Sequence, residues 1–311
     1  MPLNSEMKSH ENMPIDPKKF SKEPAFNNTG LDSPITEFAL AIKAHKDDHY
    51  YASGSAVIIG QNLAITAQHV IDDFFREFEG NYLNAAPNSE VAGTFHMQLF
   101  QILNCGKSGL IWNVTRLWSS NYTDIAVLRL SPTTQEALDY KWRLPKIDLI
   151  PPKIGERVSC FGYRKPHITK TGEQIEWQVD SRTSIGEVRG VHDQKRDNCR
   201  LNFPCFQTNA RYDGAMSGGP VFKDSGKLCG IICSNLPPPA EDEEEHVSYV
   251  TSLWPLMGLK IDIDRKGHPK GIKYPMLELA RDKFIHAEGW EQIVLVPDQS
   301  GNIVKVGLKN A

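Results

Sequence analysis

Short apolar runs, each closed by turn residues, follow one another along most of this chain, and few stretches repeat their apolar residues at a helical period. Such a run is too short to stand as a helix, so its backbone must find partners in neighbouring strands. Ser55–Gly60 and Leu63–Thr66 flank Gln61-Asn62 and predict a hairpin. Further strands are expected at Met97–Leu103, Ile111–Leu117, Ile125–Leu130, Ile154–Tyr163, Glu173–Val179, Ser184–Val191, Phe206–Ala210, Pro220–Phe222 and Leu228–Cys233. Many short strands at close spacing make the chain all-β, as a barrel or a sandwich. The helical exceptions are Ile71–Phe78, Thr133–Tyr140 and Ser252–Leu259, the last as a terminal helix.

Two segments stand apart. Residues 1–34 are polar, proline-bearing and aperiodic, and read as a flexible tail. Residues 263–311 carry apolar positions at helical spacing over Pro275–Ala287. Two runs follow, Ile293–Val296 and Ile303–Val306, around a Pro-Asp-Gln-Ser-Gly-Asn turn. A helix plus a hairpin is expected there, sized to dock on the rest of the fold or to bind a regulatory partner.

Composition removes several functions. With 40% hydrophobic and 23% charged residues the chain is of ordinary soluble type, and 311 residues make one or two domains. A net charge of −3 and the lack of a basic aromatic stripe exclude nucleic acid as the expected partner. No run approaches the roughly 20 apolar residues that span a bilayer, so no membrane is expected either. Met1–Glu6 has neither the basic nor the apolar part of a leader, which makes the cytoplasm the expected compartment. Cys105, Cys160, Cys199, Cys205, Cys229 and Cys233 are then expected to be reduced thiols. None forms a C-x-x-C pair, so neither structural zinc nor another cofactor is expected, and activity should survive chelators.

The segment Gly214-Ala215-Met216-Ser217-Gly218-Gly219-Pro220 sets a serine in a glycine-rich turn. A serine hydroxyl is a poor nucleophile unless an imidazole takes its proton and a buried carboxylate orients that imidazole. His69, at the end of one apolar run, and Asp124, at the start of another, precede Ser217 in the chain. Each alone is ordinarily structural: a strand-end histidine, a capping aspartate, a common turn. Their joint occurrence with matching flanks points to a catalytic site.

Those flanks resemble the trypsin/chymotrypsin-fold serine peptidases, and among them the bacterial, disulfide-free, HtrA-like branch without a PDZ domain. The matching pieces are Gly54–Ile59, Ala64–Val70, Asp124–Leu128, Gln207–Ala210, Ser217–Phe222 and Gly230–Ile232. The resemblance covers about residues 35–262. It implies two six-stranded β-barrels, residues 35–150 with His69 and Asp124 and residues 151–262 with Ser217, the triad lying between them. It also implies a protein or peptide substrate. His69 would be general base, Asp124 its orienting partner, Ser217 the nucleophile, and the amides of Ala215 and Ser217 the oxyanion hole. Arg211, Cys233, Ser234 and Asn235 would line the substrate pocket.

Three positions depart from the family. Ala215 stands where glycine is usual, which restricts the backbone that aims its amide. Met216 replaces the aspartate on which zymogen activation depends in vertebrate digestive relatives, so that step is not expected. Cys233 replaces a serine beside the triad aspartate. Arg211 favours an acidic substrate side chain, whereas the acidic run Glu241–Glu245 is either an attractor of basic substrates or a solvated loop.

Two other functions compete. One is a protease-fold binding module with weak catalysis. The other is an α/β-hydrolase esterase, which wants Gly-x-Ser-x-Gly with its acid and histidine after the serine, the reverse of the order here. General proteolysis is hazardous in a cytoplasm, so narrow or gated specificity for one partner protein, in bacterial defence or signalling, is the expectation. The rate should fall as His69 protonates, near the ordinary imidazole value of about 6.5.

Overall fold

The computed structural model describes residues 27–28, 34–81, 90–91, 93–103, 108–120, 122–172, 174–236, 247–263 and 271–309. Most of the N-terminal tail and the acidic run Glu241–Glu245 lie outside them.

Two closed antiparallel barrels of six strands each make up the fold. The first contains β1 (Ala39–Lys46), β2 (His49–Gly60), β3 (Leu63–Ala67), β4 (His96–Leu103), β5 (Ser108–Ser119) and β6 (Ile125–Pro132). Their order is β5-β4-β1-β2-β3-β6, and β5 pairs with β6 to close the ring. The second contains β7 (Arg157–Thr171), β8 (Gln174–His192), β9 (Cys205–Thr208), β10 (Pro220–Lys223), β11 (Leu228–Leu236) and β12 (Val247–Ser252). Here the order is β10-β7-β8-β9-β12-β11, closed by β10 on β11. Closure pairs the first and last strand of each ring with one another.

The hairpin at Gln61-Asn62 forms as expected: Asn62 takes φ 58°, a left-handed turn position that asparagine tolerates, and Gly60 pairs with Leu63. Ser217 follows β9 and precedes β10. The residue before it, Met216, is wholly buried in the second barrel's core beside Val158, Phe206, Val221 and Val250. The turn that carries Ser217 is therefore pinned from beneath by an apolar side chain.

Three expectations from the sequence change. The runs at Glu173–Val179 and Ser184–Val191 belong to one strand, β8, paired with β7 from Arg157↔Glu187 out to Thr171↔Gln174. Polar Asp180–Thr183 reads as a break in sequence, but this arm reaches the first barrel, where Trp177 packs edge-on against Phe100 and Lys170 pairs with Asp48. Ser252–Leu259 is not an α-helix: after Ser252 ends β12, only a 3-10 turn, Trp254–Gly258, follows. All five of its residues are buried, so packing rather than the helical period sets its length. The helix expected over Pro275–Ala287 is confined to Met276–Arg281, because Lys283 turns left-handed at φ 58°. The C-terminal hairpin, Ile293–Pro297 with Ile303–Leu308, forms, and Val306 packs on the 3-10 turn at Gly258. No helix of the described residues is long and apolar enough to cross a membrane.

One helix bears directly on the site. α1 (Gln68–Glu79) leaves β3 without a break and buries Val70, Ile71, Phe74 and Phe75 as one stripe against the first barrel. Its end is set by Gly80, at φ 69°, whose amide bonds the Arg76 carbonyl. Phe74 is fully buried against Tyr51 and Phe95. Phe74→Ala should cost about 3–5 kcal/mol, read by urea unfolding.

Candidate active site

The β3–β6 ladder runs Leu63↔Arg129 to Ala67↔Ile125, so its next step sets Gln68 opposite Asp124, and the Gln68 amide bonds the Asp124 carbonyl at 3.1 Å. Strand register alone thus delivers Asp124 to the N-terminus of α1. That helix has no side-chain cap at Ala67. The Asp124 carboxylate supplies one, accepting the His69 amide on Oδ1 at 3.0 Å. Its Oδ2 takes His69 Nδ1 at 2.7 Å and the Cys233 thiol at 3.3 Å. With Nδ1 donating to the carboxylate, Nε2 is the ring atom left to accept a proton. The Asp124 side chain is 10% exposed and that of His69 41%, so the carboxylate is enclosed while the ring reaches solvent.

Burial works against charge on His69. The charge and hydrogen bond of Asp124 outweigh it, helped by Asp73 and Asp72 on the next turn, and the pKa stands above the ordinary imidazole value. This corrects the unperturbed value expected from sequence. Burial, then the adjacent Asp124 charge, pushes the Cys233 thiol well above its usual range. Cys233 is thus a protonated donor to Asp124, in place of the family's serine.

Ser217 and Cys233 meet through the backbone. The Ser217 hydroxyl donates to the Cys233 carbonyl at 3.1 Å, and among the described residues no hydrogen bond joins it to His69. Cys233 occupies an irregularity in the β11–β12 ladder, between Ile232↔Val250 and Ser234↔Tyr249. Directly after the serine, Gly218 donates to Ile232 and Gly219 accepts from it, both at 2.8 Å. Gly218 lies at φ 82°, where a Cβ would come within 2.1 Å of the Ser55 carbonyl, so only glycine lets the barrels approach this closely.

Asp213–Met216 forms a turn closed by the Met216 amide on the Asp213 carbonyl at 3.2 Å. Ala215 sits in it at φ 68°. A left-handed alanine costs roughly 1–2 kcal/mol, so the restriction expected at this position is real strain. Among the described residues no acceptor takes the amides of Ala215 or Ser217.

Of the pocket candidates, Arg211 pairs with Asp213 at 3.5 Å and donates its amide to Ser184. Asp213 also pairs with Arg164, which in turn meets Asp180. The Arg211 charge is therefore shared with the Asp213 carboxylate, which Arg164 also engages. Ser234 is half-buried beside Cys233. The Asn235 backbone pairs with Ser248, and its side chain lies outside the described residues. A surface cleft of about 550 Å³, lined by Asn62, Arg116, Arg129 and Asp262, includes none of these residues. Sequence reasoning missed Arg164, Asp213 and Ser55. Only Ser55 carried a signal, as a hydroxyl inside an apolar run.

The sequence pattern of the trypsin-like peptidase domain matches residues 54–231. The chain belongs to the trypsin-like peptidase family. No curated protein sequence matches it. Among solved structures it is similar to the MamO protease domain from Magnetospirillum magneticum, at 15% identity over 70% of this chain and 93% of that one, TM-score 0.43. The active form of the Rv3671c protease from M. tuberculosis matches at 15% identity over 79% and 92%, TM-score 0.45. Deg5 matches at 16% identity over 66% and 82%, TM-score 0.45.

Two measurements check this geometry. In NMR titration the His69 imidazole should protonate above about 6.5, and Asp124→Asn should bring that pKa down by removing the charge that most opposes burial. The sign for stability follows: this ion pair's contribution is complete below about 6.5 and is lost as pH rises through the raised value. Separately, Ala215→Gly should stay within about 1 kcal/mol of the parent, because relieved strain offsets greater unfolded-chain entropy. Ala215→Val, β-branched at a left-handed position, should lose at least about 1 kcal/mol. Urea unfolding compares the two.

Proposed function

We propose that this member of the family is a serine endopeptidase acting through His69, Asp124 and Ser217. The observation that carries the reading is that one residue, Cys233, joins the His69–Asp124 pair of the first barrel through its thiol and accepts the Ser217 hydroxyl on its backbone carbonyl. Ser217 turns from the Cys233 carbonyl toward His69 Nε2, gives it the proton, and its Oγ bonds the scissile carbonyl carbon. The oxygen that gains charge is met by the unpaired amides of Ala215 and Ser217, a donor of this kind being worth about 10²–10³ in rate. His69 then protonates the leaving amine, and water reverses the sequence to free the acid. Asp124 stays ionised throughout and steadies the imidazolium.

Narrow or gated specificity belongs to the same reading. Its supports are the strain at Ala215, which taxes the turn presenting the oxyanion amides, and a Ser217 hydroxyl parked on a carbonyl. Those two features also favour the second reading, a binding module with weak catalysis. Arg211 contributes a preference for acidic side chains only so far as Asp213 leaves its charge uncompensated. A cytoplasmic, bacterial setting and a regulatory partner at the C-terminal helix and hairpin complete the proposal. Exposed Val294, Val296 and Val304 on that hairpin support the partner.

Peptide-library cleavage followed by mass spectrometry tests the proposal. Wild type should cut, Ser217→Ala and His69→Ala should not, and Asp124→Asn should lose about 10⁴ in kcat. The acid limb of kcat/KM should lie above about 6.5, as the charge on Asp124 requires. Cuts that persist in Ser217→Ala sink the mechanism. A wild type that neither cuts nor reacts with a fluorophosphonate leaves the binding module in its place.

A further inference from the structure

Ser55 is the point at which three segments of the chain converge. It lies on β2 of the first barrel and is wholly buried. Its amide donates to the Ser217 carbonyl at 2.8 Å. Its carbonyl accepts the Thr66 hydroxyl at 2.7 Å, and Thr66 is three residues before His69 on the adjoining strand. Its hydroxyl accepts the Tyr163 amide, from β7 of the second barrel, at 2.9 Å. That bond occupies a lone pair, so the one hydroxyl proton is free for a carbonyl. The nearer is Ala215, at 3.1 Å, against 3.5 Å for Tyr163 itself.

We propose that Ser55 is a positioning residue whose amide and hydroxyl fix the carbonyls of Ser217 and Ala215 to the strand pair that carries His69. The proposal rests on Ser217 being the nucleophile. The nucleophile and its base belong to different barrels, so their separation is only as well defined as the contacts between barrels. Ser55 makes two such contacts within three residues of the turn, one to the nucleophile's own carbonyl and one to the strained alanine's. Acyl transfer is sensitive to displacements of about 1 Å, which can cost roughly 10² in rate. Alanine at 55 keeps the amide bond but strips the half-buried Ala215 carbonyl of its donor and the buried Tyr163 amide of its acceptor. The turn then stays folded on Met216 and Ile232 but loses its register to His69.

Fluorophosphonate labelling of wild type, Ser55→Ala and Ser217→Ala, read as both rate and final stoichiometry, tests this. Wild type should label fully and Ser217→Ala not at all. Ser55→Ala should reach the same stoichiometry at a rate reduced roughly tenfold to a hundredfold. Peptide cleavage should show the loss in kcat with KM little changed. The acid limb set by His69 should not move, since no Ser55 bond touches His69 or Asp124. A Ser55→Ala rate within twofold of wild type overturns the proposal. A stoichiometry that falls in step with the rate marks mere unfolding and passes the test to a second variant. If Ser55→Ala does not fold, Ser55→Cys, which keeps a weaker donor of similar size, is held to the same criteria and should be slowed less. Absence of labelling in wild type overturns the nucleophile assignment itself. Normal wild-type labelling with an unaffected Ser55→Ala overturns this inference alone.

Discussion

The Asp124 carboxylate is where the site's demands meet. One oxygen caps an otherwise uncapped helix, and the other holds both the imidazole ring on that helix and a thiol from the opposite barrel. A carboxylate this enclosed is stable as an ion only with such partners. The ring bond to that carboxylate and its charge orient His69 and raise its pKa against burial. Helix position, ring tautomer and barrel-to-barrel contact are consequently not independent features. Each loses its support if the carboxylate is moved.

The turn that carries Ser217 is held in another way. Met216 anchors it in the second core, Ile232 zips to its glycines, Asp213 ties it to Arg164, and Ser55 reaches it from the first barrel. Against these anchors stands one unfavourable choice, a left-handed alanine. Strain of this kind persists only where the surroundings over-determine the conformation. An activating ion pair from a freed N-terminus has no aspartate at position 216 to meet. The Arg164–Asp213 pair and the Ser55 bonds supply support from within the folded chain instead.

How legible this was in sequence differs from feature to feature. The hairpin at Gln61-Asn62, most barrel strands and the order His69, Asp124, Ser217 were readable because strand periodicity, turn chemistry and the nucleophile's requirements are local or combinatorial. The continuity of β8 was not, because Asp180–Thr183 looks like a break until the first barrel receives the arm that contains it. The 3-10 turn at Trp254–Gly258 and the shortened helix at Met276–Arg281 differ from their apolar pattern for a similar reason. Packing against the barrel and a left-handed Lys283 decide their length.

By itself, then, the sequence determined the all-β class and which residue types could perform acyl transfer, since these follow from local pattern and elementary chemistry. Tertiary structure alone decided that Asp124 caps the helix bearing its own histidine, that Cys233 replaces a hydroxyl as donor, and that Arg211 is paired with Asp213. It alone decided that Ser55 spans the barrels. Each of these is a contact between residues far apart in the chain. Only closure of the two rings brings them within hydrogen-bonding distance.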